Sequence, residues 1–180
     1  MFQLTSSSTR PVRASALALV GAAATATVLV AATSSSAVTG VAAGTPSCQS
    51  RGLVIWLDTN GNGTAGAIVY DLHFTNQSGQ RCTLRGYPGV SAINLRGGRL
   101  GPPATRNSAN RVRTISLRNG HTATSQVKIE EAGNFSPSVC GPVSAAGLRV
   151  FAPNQSSSKT VPFPFPACSR AGILQVKAIT

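Results

Sequence analysis

Ile68-Val69-Tyr70-Asp71-Leu72-His73-Phe74-Thr75 is the stretch that decides the fold class. Ile68, Tyr70, Leu72 and Phe74 share one parity, while Val69, Asp71, His73 and Thr75 share the other. Successive side chains of a strand point to opposite faces, so the first set turns to a core and the second to solvent. Outward from this strand the period stays at two, and Gly, Pro, Asn and Ser punctuate it every eight to twelve residues or so, as in a sandwich or barrel of short strands. Upstream, Leu53-Val54-Ile55-Trp56-Leu57 is a first strand and Asn60-Gly61-Asn62-Gly63 a turn. Trp56 faces opposite to Leu53, Ile55 and Leu57 and is expected to cap the core. Downstream, Cys82-Thr83-Leu84 and Val90 to Leu95 are strands split by Gly86-Tyr87-Pro88-Gly89, and Arg96-Gly97-Gly98-Arg99 turns the chain. Gly147 to Phe151 and Ile173 to Ile179 also fit strands, and no helical periodicity exceeds a turn.

The segment around Asn119-Gly120 reads as a hairpin. Ile115 and Leu117 share a face before the turn; Ala123, Ser125, Val127 and Ile129 share one after it. A three-residue loop, Asn119-Gly120-His121, pairs Leu117 with Ala123 and keeps both apolar sets together, with a bulge near Arg113 returning Val112 to the core. The outward face then carries Arg111, Ser116, Arg118, Thr122, Thr124, Gln126 and Lys128.

The N-terminus has the order of a secretory signal peptide: Arg10 and Arg13, an uncharged run from Ala14 to Ala32, then small residues. Cleavage is expected after Ala37 or Ala43, leaving residues 44–180 as one domain. The apolar run approaches the length of a membrane span, but it is mostly alanine, which favours insertion little. The arginines are not adjacent, which argues against twin-arginine export, and Thr45-Pro46-Ser47-Cys48 lacks a lipobox leucine.

Four cysteines follow the leader: Cys48, Cys82, Cys140 and Cys168. Outside the cytoplasm cysteines pair, and four allow three connectivities that sequence does not decide. The sequential arrangement, Cys48–Cys82 with Cys140–Cys168, is favoured; each bridge closes a loop of about thirty residues, worth roughly 3 kcal/mol in the chain-entropy model. No Cys-x-x-Cys spacing points to zinc.

Charge bounds the partners. The chain has 16 basic and four acidic residues, so losing Arg10 and Arg13 leaves 14 − 4 = +10 on the domain. Between Asp71 and Glu130 there is no acid, yet eight arginines and Lys128 occur there. A field of one sign draws polyanions, and Arg111, Arg113, Arg118 and Lys128 form the candidate anion-binding face. The expected partner is an anionic cell-wall polymer or membrane surface; a protein partner is the alternative, and no nucleic-acid motif is present. The same excess also fits a plain solvated surface.

Leu72-His73-Phe74-Thr75-Asn76-Gln77-Ser78 followed by Cys82-Thr83-Leu84-Arg85-Gly86-Tyr87-Pro88-Gly89-Val90 resembles the signature of domain-of-unknown-function family 4232. The residues from 112 to 129, a cysteine near position 140 and a last cysteine followed by a terminal strand agree with it. The resemblance covers about 48–180. It implies an immunoglobulin-like antiparallel β-sandwich in secreted or lipid-anchored proteins of actinobacteria, with no established catalytic residue.

Other motifs carry less. Asp58-Thr59-Asn60-Gly61-Asn62-Gly63 matches the first half of a calcium loop, but loop position twelve is Val69 instead of an acid. His73 and His121 are expected at the surface, and no Gly-x-Ser-x-Gly elbow accompanies them. Glu130 and Glu131 diverge at a strand end. Pro162-Phe163-Pro164-Phe165-Pro166 enforces an extended path and is expected to blunt a sheet edge with its rings tucked inward. The reading is therefore a secreted or envelope-associated, monomeric, non-enzymatic binding module with no cofactor and no metal. The alternative is a structural or protein-interaction module docking through Phe163 and Phe165.

Overall fold

The computed structural model describes residues 44–180. The expected signal peptide and its cleavage sites lie outside the described residues. Twelve strands form in chain order: β1 (Leu53–Leu57), β2 (Asn62–Thr64), β3 (Ala67–Asn76), β4 (Cys82–Arg85), β5 (Gly89–Ile93), β6 (Arg99–Leu100), β7 (Thr105–Asn107), β8 (Thr114–Leu117), β9 (Thr122–Glu130), β10 (Pro142–Phe151), β11 (Ser158–Cys168) and β12 (Leu174–Lys177). A single helical turn, α1 (Pro137–Cys140), precedes β10.

The strand read first is β3, and it sits inside a six-stranded sheet ordered β1-β3-β9-β12-β7, with β2 also paired to β3. Leu72 and Phe74 are buried and His73 and Thr75 half-exposed, as their parity requires. A four-stranded sheet, β11-β10-β5-β6, opposes it, and β4 with β8 forms a separate ribbon. Leu72, Phe74, Val127 and Ile129 from the large sheet join Val90, Ala92, Leu148, Val150 and Val161 from the smaller one in one core. The fold is an all-β sandwich. Its order matches an immunoglobulin-like domain: β1-β3-β9 stand where strands A, B and E do, and β11-β10-β5-β6 where G, F, C and C′ do. β12 takes the place beside E, and it pairs in parallel with β7.

Both disulfides follow the sequential pattern, Cys48–Cys82 and Cys140–Cys168. The first ties the segment ahead of β1 to β4, where backbone bonds between Cys48 N and Thr83 O and between Thr83 N and Pro46 O continue the staple. The second joins α1 to the end of β11. Neither bridges the two sheets, so sheet-to-sheet cohesion rests on apolar packing.

Three expectations change. The residues around Asn119-Gly120 do not make a hairpin: β8 pairs with β4, placing Leu117 opposite Cys82, while β9 pairs with β3 and β12. Both edges of β9 are already occupied, so Asn119-Gly120 carries the chain across from the ribbon to the large sheet. The inward set Ala123, Ser125, Val127 and Ile129 is nonetheless buried. Val112 and Arg113 precede β8 without a strand, so no bulge returns Val112 to a ladder. Secondly, β5 ends at Ile93 and Leu95 is 95% exposed, because Asn94 Oδ1 accepts from the Arg96 and Gly98 amides and turns the chain early. Thirdly, Trp56 does not cap the core. It lies on the outer face, opposite His73 in the ladder.

Asn76 ties three segments together. Its side chain is fully buried. Nδ2 donates to Gln80 O at 2.7 Å and to Leu117 O at 3.1 Å, while Oδ1 accepts from Ser78 N and Ser78 Oγ. β3, the turn after it and β8 thus meet at one amide.

The proline-alternating segment is part of β11, the edge strand of its sheet. Prolines there forfeit no ladder bond when their nitrogens face away from β10. Phe163 and Phe165 turn inward against the core, as expected. Opposite them, Gly147 sits at a register shift of β10, where an added Cβ would fall 2.3 Å from Val161 O.

Candidate functional site

The outer face of the large sheet is built from the polar parity of its strands. β3 contributes Asp71, His73 and Thr75; β9 contributes Thr124, Gln126 and Lys128; β12 contributes Gln175 and Lys177, fixed by the pairs Asp71–Gln126, His73–Thr124 and Lys128–Gln175. Three adjoining hollows cross it. One, of about 290 Å3, is lined by Asn107, Gln126, Lys128, Gln175 and Lys177 among others. The next, of about 450 Å3, shares Gln126 and Lys177 and adds Asp71, Thr124, Asn110 and Thr180. The third, of about 480 Å3, shares Asn110 and Thr180 and is bordered by Arg111 and Arg113 over Ile115 and Ile179. The 109–113 segment therefore overhangs the sheet and brings its arginines to the same side as the lysines.

Hydrogen bonds hold this surface in shape. Lys177 Nζ donates to Gln126 Oε1 at 2.8 Å. Lys128 Nζ approaches Glu130 Oε1 at 3.3 Å, with the two side chains 35% and 39% exposed. A pair this wet contributes about 1 kcal/mol at most. The hollows hold four cations (Arg111, Arg113, Lys128, Lys177) against Asp71 within them and Glu130 beside them.

Of the four residues singled out from sequence, the fold thus places Arg111 and Arg113 together and links them to Lys128 through Lys177. Arg118 is not brought to them. It follows β8 at the crossover, where its carbonyl accepts from His121 N, because β8 belongs to the ribbon and not to the large sheet. Other basic side chains are engaged elsewhere: Arg149 Nη2 donates to Gly97 O, Arg85 Nη1 to Thr114 Oγ1, and Arg106 lies over the Tyr87 ring. Lys177 was missed in sequence because nothing there shows that β12 lies beside β9.

At the other end of the same face, Trp56 is 44% exposed and stacks on His73 with ring centroids 4.1 Å apart. His73 Nδ1 is 3.1 Å from Thr124 Oγ1, which fixes the imidazole plane. Asp71 lies two residues along the strand from His73, on the same face, and pairs with Gln126 in the ladder. Asp58 Oδ1 accepts from the Asn60 amide and side chain, so the half calcium motif serves as a turn cap. Among the described residues no group of three His, Cys, Asp or Glu converges as a metal site would require, and no helix is long and apolar enough to cross a membrane.

The family model described as Domain of unknown function (DUF4232) matches residues 48–180, from the first disulfide cysteine to the last residue. The chain belongs to this family. The range matched to DUF4232 takes in all four disulfide cysteines and the Gly86-Tyr87-Pro88-Gly89 corner between β4 and β5. No curated protein matches the chain. No solved structure matches it either.

Proposed function

We propose that this DUF4232 domain is an exported, non-enzymatic binding module of the cell envelope whose outer sheet face takes an anionic polymer. The observation that carries the reading is the run of Lys128, Lys177, Arg111 and Arg113 along three adjoining hollows whose lining also holds amides and hydroxyls and a single acid, Asp71. Charge draws the polymer in, and Asn107, Asn110, Gln126 and Gln175 offer donors and acceptors to its neutral groups. A concave, segmented surface suits the repeating units of a chain better than a flat bilayer. The two disulfides support an oxidising location, in keeping with the leader-like N-terminus.

Trp56 is the only tryptophan of the chain and stacks on His73, whose partner Thr124 lines the middle hollow, so its emission reports a polymer that runs along this face. Titration of the disulfide-intact protein with an anionic wall polymer should shift that emission at low salt. The response should fade as the Debye length falls from about 30 Å at 0.01 M to about 3 Å at 1 M. Arg111→Glu with Lys177→Glu should weaken binding at least tenfold, while Lys159→Glu on β11 should not. Retention that ignores salt, or that survives the double reversal, refutes the reading. Equal binding to anionic vesicles would reassign the partner to a membrane.

A further inference from the structure

On the opposite side of the large sheet, at one end of the sandwich, lies a hollow of about 370 Å3 with a different character. Ile68 and Tyr70 from β3, Ile129 from β9 and Phe165 from β11 line it. Its volume and apolar lining fall in the range of small-molecule sites. The wall is rigid: Tyr70 meets Phe163 edge-on at 4.8 Å, and Phe163 lies 5.7 Å from Phe165. The mouth is formed by Glu130, Glu131, Ala132 and Gly133.

Two facts make this more than a loosely closed end. Gly133 is not among the positive-φ glycines, and a Cβ added there would meet nothing within 4 Å. Neither backbone nor packing therefore demands glycine, yet its missing side chain leaves the mouth open. The second fact is charge. Glu131 is one of only four acids in a chain of net charge +12, and it stands at the rim of this apolar hollow. Glu130 has Lys128 beside it, but Glu131 has no ion-pair partner among the described residues.

We infer that this hollow binds a free small molecule joining an apolar body to a single cationic group, such as an aryl- or alkylammonium. The body lies against Tyr70, Phe165, Ile68 and Ile129, and the cation sits at the rim beside Glu131. The aromatic wall adds attraction for a cation through the ring faces. An anion of the same shape is rejected by the Glu131 carboxylate. The site uses none of the cations of the polymer-binding face and stands whether or not that face binds a polymer.

The test is a calorimetric and NMR titration of the disulfide-intact protein with phenylpropyl-trimethylammonium, its neutral tert-butyl isostere and the matching carboxylate. At low salt the ammonium should bind about five- to tenfold more tightly than the neutral isostere, the factor expected from one nearby charge in a wet rim, and the carboxylate more weakly than both. Methyl resonances of Ile68, Ile129 and Ala132 should shift. Glu131→Gln should abolish the preference for the ammonium and leave the neutral isostere's affinity unchanged. Gly133→Phe should close the mouth and remove binding of both, with the urea midpoint unchanged. No binding to the native protein, equal binding of ammonium and isostere, or full binding by the Gly133→Phe variant overturns the inference.

Discussion

Replacing Asn76 by alanine is the most informative single perturbation of this fold, because one buried amide serves four partners. The bond from Nδ2 to Leu117 O is buried, so that carbonyl would lose its partner out of reach of water, at a cost of about 1–3 kcal/mol. The bonds to Gln80 O, Ser78 N and Ser78 Oγ lie nearer solvent, which can replace them in part, so roughly 0.5 kcal/mol each is appropriate. The sum is about 2.5–4.5 kcal/mol, a large share of the stability of a domain this size. With a urea m value of about 1–3 kcal/mol/M, the unfolding midpoint should fall by about 1 M or more with the slope unchanged. Asn76→Asp distinguishes bonding from space-filling. It keeps the acceptor for Ser78 but sets a carboxylate oxygen against two carbonyls, so at neutral pH it should cost at least as much as alanine. Non-reducing urea titrations followed by Trp56 emission measure all three proteins. A loss under about 1 kcal/mol for Asn76→Ala, or a near-neutral Asn76→Asp, would refute the reasoning.

Other expectations concern the frame and the faces. Removing the second disulfide by Cys140→Ser with Cys168→Ser opens a loop of sequence separation 28 and should cost about 3–4 kcal/mol in urea titrations, on the chain-entropy model. Non-reduced peptide mapping should recover only the 48–82 and 140–168 pairs. Gly147→Ala pushes a Cβ into the Val161 carbonyl, so it should lower the stability by about 1–3 kcal/mol, the scale of overpacking in a tight site; an unchanged urea midpoint would show that the register shift there is soft. Leu72→Ala, at 0% exposure in the core, should cost about 2–5 kcal/mol. Trp56→Ala should cost about 1 kcal/mol or less despite the larger deletion, since its ring lies on the outer face; differential scanning calorimetry would rank the two.

Strand existence and facing were legible in the sequence because the period-two pattern is a local property. Leu72 and Phe74, the inward parity of β9 and the inward Phe163 and Phe165 all follow from alternation and from proline's missing donor. Loop ends were less legible. Leu95 reads as a strand residue by composition, yet the side chain of Asn94 captures two amides beyond it and ends the ladder. The Asn119-Gly120 segment carries a hairpin's letters, but which strand β8 pairs with depends on whether an edge of β9 is free. That is a fact about β3 and β12, more than forty residues away on either side.

The same division runs through the candidate site. Sequence by itself determined the excess of positive charge, the sequence neighbours Arg111 and Arg113, the cysteine set and the all-β class, because each depends only on composition or on local spacing. The tertiary structure alone decided that Lys177 completes the run to Lys128, that Arg118 leaves it, and that Trp56 lies open on His73. It alone decided that Glu131 and Gly133 guard an apolar hollow walled by Phe165. Those outcomes rest on register and strand order, which are set where the burial of two whole sheets is optimised together and which no short window of residues encodes.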